Sequence, residues 1–105
     1  MGFFSNLFSS KPAVDYAELV RNGAIIVDVR TPGEFAQGHI KGSVNIPLDI
    51  IRNRTSELTQ RNKPVITCCR SGARSGSAKS ILTEAGIECY NGGAWDSLQG
   101  DLYRK

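Results

Sequence analysis

A near-continuous apolar run at residues 24–29 constrains the fold of this chain more than any other feature. The run reads Ala-Ile-Ile-Val-Asp-Val, and only Asp28 interrupts it. Such strands are buried on both faces, which is typical of parallel sheets. Shorter strand-like runs recur at residues 43–46, 64–68 and 87–91, with helical patterns or polar connections between them. Strands that alternate with helices predict an α/β fold with an open, mostly parallel sheet.

Length and charge exclude several classes of protein. A chain of 105 residues forms one domain, here an N-terminal Phe-rich arm (residues 1–12) followed by a single domain (residues 13–105). The net charge of +3 is spread along the sequence, which argues against nucleic-acid binding. The longest apolar run is too short for a membrane span. An odd number of cysteines without a secretory segment predicts reduced thiols in the cytoplasm.

The arm has an amphipathic pattern. Phe3, Phe4, Leu7 and Phe8 share one helical face, and Pro12 ends the pattern. We interpret the arm as a cap on the core of its own domain. A homodimer contact and a weak contact with a membrane surface are the alternatives.

A cysteine at the end of the third predicted strand carries the chemistry. Residues 65–75 read VITCCRSGARS, so that a β-branched run leads into Cys69, a short basic loop and then a helical pattern. The N–H groups of the loop and the start of the helix are expected to converge on an exposed Cys69 sulfur, with Gly72 at positive φ. An ordinary thiol has a pKa of about 8.5. Lowering the pKa by about two units would leave the sulfur mostly as the nucleophilic thiolate.

Three segments, in order and in register with the predicted strands, resemble the rhodanese family. The resemblance covers residues 14–100. It implies a rhodanese-like open, mostly parallel five-stranded sheet flanked by helices on both faces. The matching segments are Ile26-Val27-Asp28-Val29-Arg30 with Glu34-Phe35, Gly38-His39-Ile40, Gly42 and Asn45-Ile46-Pro47; Cys69-Arg70-Ser71-Gly72-Ala73-Arg74-Ser75; and Gly92-Gly93 with Trp95.

This resemblance implies a sulfurtransferase. The Cys69 thiolate would take the outer sulfur of a donor such as thiosulfate and become a persulfide. The sulfur would then pass to a thiophilic acceptor, which is cyanide in an assay and a thiol in a cell. No metal or organic cofactor is implied. The implied partners are a small-molecule sulfur donor, a thiol acceptor and, as a further candidate, a protein that exchanges persulfides.

Two other functions remain open at this point. One is a persulfide carrier or regulatory module that acts on a partner protein, which the Phe-rich arm favours. The other is a cysteine phosphatase or arsenate reductase, because these enzymes also bind anions between a strand and a helix. Their loops usually place five residues between the cysteine and the arginine. Cys69 and Arg74 are separated by four, so the ring is expected to be too small for a tetrahedral oxyanion.

The residues around Cys69 are assigned roles from their positions. Arg70 and Ser71 lie nearer the opening and are expected to meet the donor, whereas Arg74 is expected to brace the loop. Asp28 ends a buried strand, so its carboxylate needs a partner. We expect an ion pair with an arginine that supports the loop. The complete active-site loop after the nucleophile comprises Arg70, Ser71, Gly72, Ala73 and Arg74.

Five further residues receive structural interpretations. Arg30 and Glu34 are expected to pair with each other at a helix start. His39 is interpreted as part of a turn rather than as a catalytic base. Strand alternation turns Cys68 away from its neighbour into the core, with a resolving thiol as the alternative. Cys89 is expected to lie in the core.

Overall fold

A computed structural model of the chain describes residues 14–103, and the Phe-rich arm lies outside these residues. None of the helices in this range is long and apolar enough to cross a membrane. The strands are β1 (Ile25–Asp28), β2 (Val44–Asn45), β3 (Val65–Cys69) and β4 (Cys89–Ala94). The helices are α1 (Tyr16–Arg21), α2 (Pro32–Gln37), a 3₁₀ helix (Leu48–Arg54), α3 (Thr55–Arg61), α4 (Ala73–Glu84) and α5 (Trp95–Tyr103).

The sheet is parallel throughout, with the strand order β2-β1-β3-β4. The prediction of five strands was therefore wrong for residues 14–103, which form four. Each of the four apolar runs becomes one strand. Residues 48–61, which connect β2 to β3, are rich in polar residues and form the 3₁₀ helix and α3 rather than a fifth strand.

Helices cover both faces of the sheet, as predicted. On one face the 3₁₀ helix, α3 and α4 contribute Ile51, Leu58, Ala78 and Leu82 to a core cluster with the strands. On the other face α1 and α5 pack against a second cluster that contains Ile26, Ile66 and Cys68. Because strand side chains alternate, β3 sends Cys68 to the second cluster and Cys69 to the first.

Helix α2 begins with the capping box that the pattern Thr31-Pro32-Gly33-Glu34 predicts. Thr31 accepts a hydrogen bond from the backbone N–H of Glu34, and the Glu34 carboxylate accepts one from the backbone N–H of Thr31. This capping box satisfies two N–H groups that the first helical turn leaves without partners. Pro32 at the start of the helix needs no such partner.

The Gly92-Gly93 pair, whose composition predicts a turn, lies inside β4 instead. A Cβ atom on Gly92 would lie 2.9 Å from Ile66 Cγ2, Leu98 Cδ2 and the Thr67 carbonyl oxygen, so only glycine fits between β3 and α5. Gly93 has a φ of +81°, where β4 shifts its register against β3. The irregular strand therefore continues directly into α5 and places Asn91 opposite Thr67.

Candidate active site

Cys69 ends β3, and α4 begins four residues later at Ala73. The Cys69 sulfur accepts hydrogen bonds from the Gly72 N–H at 3.0 Å and from the Ser75 N–H at 3.4 Å. The Ser75 hydroxyl oxygen also lies 3.4 Å from the sulfur. Gly72 has the predicted positive φ, +104°, a conformation that glycine adopts without steric strain. We call these donors, together with the Ser71 N–H, the sulfur cradle.

The cradle lowers the pKa of Cys69. Burial alone would raise this pKa, because a charged sulfur is poorly solvated inside the protein. Hydrogen bonds from the Ser75 hydroxyl and from the N–H groups of Ser75, Gly72 and Ser71 act in the opposite direction and outweigh it. The thiolate form is therefore favoured relative to an ordinary cysteine.

Cys69 is buried, which corrects the expectation of an exposed thiol. Its exposed fraction is 0%, and it belongs to the core cluster with Val29 and Ala78. The reason is geometric, since the cradle closes over the sulfur while strand alternation directs the side chain into the first core cluster.

Two residues that the sequence interpretation left without a role complete the site. The Ser75 hydroxyl lies 2.6 Å from Asn91 Oδ1, and Asn91 Nδ2 donates to the Gly72 carbonyl at 3.2 Å. Thr67 donates to the Ser75 carbonyl at 2.9 Å. The signals in the sequence were the position of Ser75 in the first turn of α4 and that of Asn91 just before the glycine pair.

Asp28 forms the expected ion pair, and its partner is Arg30. Both side chains are buried, with Nη2 and Oδ2 2.7 Å apart. Arg30 also donates to the carbonyls of Glu34 and Gly38 and lies 4.7 Å from the centre of the Trp95 ring. The pair thus holds α2 and Trp95 in place. Its contacts reach the active-site loop through α2 rather than directly.

The expected pairing of the Arg30 and Glu34 side chains was wrong. Arg30 reaches only the carbonyl of Glu34, because its guanidinium is occupied by Asp28. The Glu34 carboxylate instead binds Arg74 through two hydrogen bonds, at 2.7 and 3.0 Å. Arg74 therefore ties the first turn of α4 to α2, and its charge is largely matched by Glu34.

The Glu34–Arg74 pair predicts a specific pH dependence. The Arg74 guanidinium, helped by hydrogen bonds from Thr31, lowers the pKa of Glu34 from 4.5 to about 2. A lowered pKa in the folded state stabilises the fold above the unfolded value and loses this contribution as the pH falls toward 2. Between these pH values we expect the free energy of unfolding to fall more steeply in the wild type than in Glu34→Gln, as measured by urea unfolding.

The control for this prediction is Glu84→Gln, at the exposed end of α4, which should follow the wild-type curve. Parallel curves for the wild type and Glu34→Gln would show that the pair does not form in solution.

The other predicted loop residues lie at the surface. Arg70, Ser71 and Ala73 are exposed. An open cleft of about 290 Å³ lies beside Arg74 and is lined by Val29, Thr31, Pro47, Leu48, Asp49 and Arg74. Arg74 borders this cleft and lies in the first turn of α4, next to the cradle.

The remaining nucleophile and base candidates contact other groups. His39 stacks on the Phe35 ring, and its Nδ1 lies 2.7 Å from the Phe35 carbonyl oxygen. Cys68 is fully buried on the opposite face from Cys69, and burial raises the pKa of its thiol to about 12. Cys89 is also buried, and its pKa is raised to about 11. Among the three cysteines, only Cys69 has hydrogen bonds that favour the thiolate enough to lower its pKa.

Comparison with known proteins identifies the family of the chain. The sequence profile of the Rhodanese-like domain family matches residues 13–96. The chain belongs to the rhodanese family. The crystal structure of reduced Bacillus anthracis CoADR-RHD superimposes on this rhodanese domain with a TM-score of 0.72 and 35% identity. The match covers 93% of this chain and 18% of that one.

Curated relatives match shorter stretches of the rhodanese domain. Uncharacterized protein YqhL of Bacillus subtilis is 44% identical over 69 residues, covering 65% of this chain and 54% of YqhL. Thiosulfate sulfurtransferase PspE of Escherichia coli is 39% identical over 61 residues, covering 57% of this chain and 59% of PspE. The matched region is thus little more than half the length of each of these relatives.

Proposed function

We propose that this rhodanese domain is a sulfurtransferase that moves a sulfane sulfur from a donor such as thiosulfate to a thiophilic acceptor through a Cys69 persulfide. The observation that carries the proposal is the sulfur cradle, which lowers the pKa of Cys69 at the junction of β3 and α4. The relative PspE, which bears the name thiosulfate sulfurtransferase, supports the choice of donor.

The reaction has two displacement steps. The Cys69 thiolate attacks the outer sulfur of thiosulfate, a new S–S bond forms, and sulfite leaves with the electron pair of the old one. Cyanide or a thiolate then attacks the outer sulfur of the persulfide, and the Cys69 thiolate leaves. Neither step needs an added oxidant or reductant.

The residues of the loop divide this work. The N–H groups of the cradle donate to the Cys69 sulfur. We expect them to serve the anionic outer sulfur of the persulfide as well, because that charge also needs hydrogen-bond donors. Arg74 is bound to Glu34, so the exposed Arg70 is the loop cation that attracts an anionic donor. We place the reaction in the cytoplasm, which the three unpaired thiols support.

The bound state of Arg74 argues against the phosphatase and arsenate reductase alternative. Such an enzyme needs the loop arginine to hold the oxyanion, whereas Arg74 makes two hydrogen bonds to Glu34. The persulfide-carrier alternative shares the Cys69 intermediate and differs in the partner, which would be a protein.

Steady-state kinetics test the proposed function. Thiocyanate formation from thiosulfate and cyanide should follow a ping-pong pattern, in which double-reciprocal plots at several cyanide concentrations are parallel. A phosphate ester assayed with the same protein should show no comparable turnover. Faster hydrolysis of the ester would contradict the proposal, and slow thiosulfate turnover with fast persulfide exchange would select the carrier.

Replacing Arg70 by alanine should raise the KM for thiosulfate about fivefold, because an exposed charge contributes little more than about 1 kcal/mol to binding an anion. The kcat and the second-step rate with cyanide should change little. Arg61→Ala, which removes an exposed arginine from the end of α3, is the matched control. An unchanged KM in Arg70→Ala would exclude Arg70 from donor binding.

A further inference from the structure

The Ser75 hydroxyl lies within hydrogen-bonding distance of three acceptors. Its oxygen is 2.6 Å from Asn91 Oδ1, 3.1 Å from the Gly72 carbonyl oxygen and 3.4 Å from the Cys69 sulfur. A hydroxyl carries one proton, so Ser75 donates to one of them at a time. Ser75 stabilises the thiolate only when its hydroxyl donates this hydrogen bond to the sulfur.

The amide of Asn91 is fixed in one orientation. Its Oδ1 accepts from the Gly93 N–H at 2.9 Å, and its Nδ2 donates to the Gly72 carbonyl at 3.2 Å. If the amide were flipped, its NH₂ group would face the Gly93 N–H and its oxygen would face the Gly72 carbonyl oxygen, and neither pair can form a hydrogen bond. Asn91 therefore presents an acceptor to Ser75. The Gly72 carbonyl already accepts from the Gly76 N–H at 3.0 Å as well, which occupies both of its lone pairs.

Two acceptors therefore compete for the Ser75 proton, and they are Asn91 Oδ1 and the Cys69 sulfur. We propose that Asn91 is a positioning residue for the sulfur chemistry. It accepts the hydrogen bond of the Ser75 hydroxyl while Cys69 is a thiol, and the hydroxyl turns its hydrogen bond to the sulfur when the sulfur is an anion. This inference rests on the proposed function, because it concerns the same nucleophile.

The two states balance without an added reactant. In the thiol state the Cys69 S–H donates to the Ser75 oxygen, and the Ser75 O–H donates to Asn91 Oδ1. When the thiol proton leaves to solvent, the Ser75 proton stays on its oxygen and turns toward the sulfur. The Ser75 hydroxyl then donates to the sulfur rather than to Asn91 Oδ1, because a hydrogen bond to an anion is about twice as strong as one between neutral groups.

Asn91→Asp tests this proposal with little change in shape. A carboxylate keeps an acceptor in front of Ser75 and accepts the Ser75 hydrogen bond more strongly. It also adds a negative charge and removes the Nδ2 donor to the Gly72 carbonyl. We expect the ratio of thiolate to thiol at Cys69 to fall about tenfold, from the loss of one donor and the added charge. The measurement is the pH dependence of alkylation by iodoacetamide in the full chain, with the modified cysteine identified by peptide mass.

The Ser75→Ala background separates the hydroxyl from the charge. In that background the hydroxyl is absent, so that only the added charge and the lost Nδ2 donor act, and the same substitution should lower the ratio about threefold. The other charged groups that face Cys69 are common to every variant. Within residues 14–103 they are Arg74 from α4 and its partner Glu34 from α2, whereas the pair of Asp28 and Arg30 acts on Cys68 on the opposite side of β3.

Asn45→Asp is the matched control. Asn45 is also half-buried, and its Nδ2 donates to the carbonyls of Asp28 and Arg30. It should leave the alkylation profile of Cys69 unchanged. If Asn91→Asp does not fold, Asn91→Ala is used in its place. The change that Asn91→Ala causes in the pH profile of Cys69 alkylation should then be absent in the Ser75→Ala background.

An unchanged profile in folded Asn91→Asp, or an equal fall in both backgrounds, would overturn the proposal. Alkylation requires no sulfur donor. A wild-type chain that forms no persulfide would therefore contradict the proposed function while leaving the role of Asn91 measurable.

Discussion

Cys69→Ser is expected to lower sulfur transfer from thiosulfate to cyanide by at least about a thousandfold. The serine hydroxyl remains protonated at neutral pH, even with the donors of the cradle around it, and oxygen forms no persulfide. The substitution exchanges one sulfur atom for oxygen, and we expect the fold to remain the same. The measurement is the rate of thiocyanate formation at saturating donor, with equal folded fractions verified by circular dichroism.

Cys68→Ser is the control for this variant. Cys68 adjoins Cys69 in sequence but faces the second core cluster, and burial raises the pKa of its thiol to about 12. This variant should retain most of the wild-type rate once any loss of stability is allowed for. Equal losses in both variants would mean that the nucleophile is misassigned or shared.

Arg30→Met is expected to destabilise the fold by about 3–5 kcal/mol, the largest effect on stability that we predict. The Asp28 carboxylate has an exposed fraction of 0%, and the substitution leaves it buried without its cationic partner. The carbonyls of Glu34 and Gly38 lose a donor as well. Urea unfolding of the full chain measures the change.

Two variants show whether the buried charge is the cause. The double variant Asp28→Asn/Arg30→Met removes the charge but keeps an acceptor for the Arg30 backbone N–H, so it should recover part of the loss. Arg54→Met breaks an exposed pair with Glu57 and should change stability little. A loss in Arg30→Met as small as that in Arg54→Met would contradict our account of the pair.

Local patterns in the sequence were enough to predict the β1 and β3 strands, the capping box of α2 and the loop at Cys69. These features depend on neighbouring residues, such as the β-branched run before Cys69 and the positive φ of Gly72. The course of β4 was not predictable in the same way. The Gly92-Gly93 pair has the composition of a turn, yet it lies inside β4, where Ile66 of β3 and Leu98 of α5 leave room only for glycine at position 92.

Contacts between distant residues account for the parts of the site that the sequence did not predict. Glu34 lies four residues after Arg30, which suggested a local pair, yet its carboxylate binds Arg74 from another helix. Asn91 meets Ser75 only because β4 lies beside β3 in the sheet. The burial of Cys69 likewise follows from the core cluster on its side of β3.

The measurement that tests the central claim most directly is the intact mass of the full chain after incubation with thiosulfate and after later addition of cyanide. We predict a gain of one sulfur atom that maps to the Cys69 peptide and disappears when cyanide is added. A chain whose mass does not change with thiosulfate, or whose added sulfur lies on Cys68 or Cys89, would contradict the account.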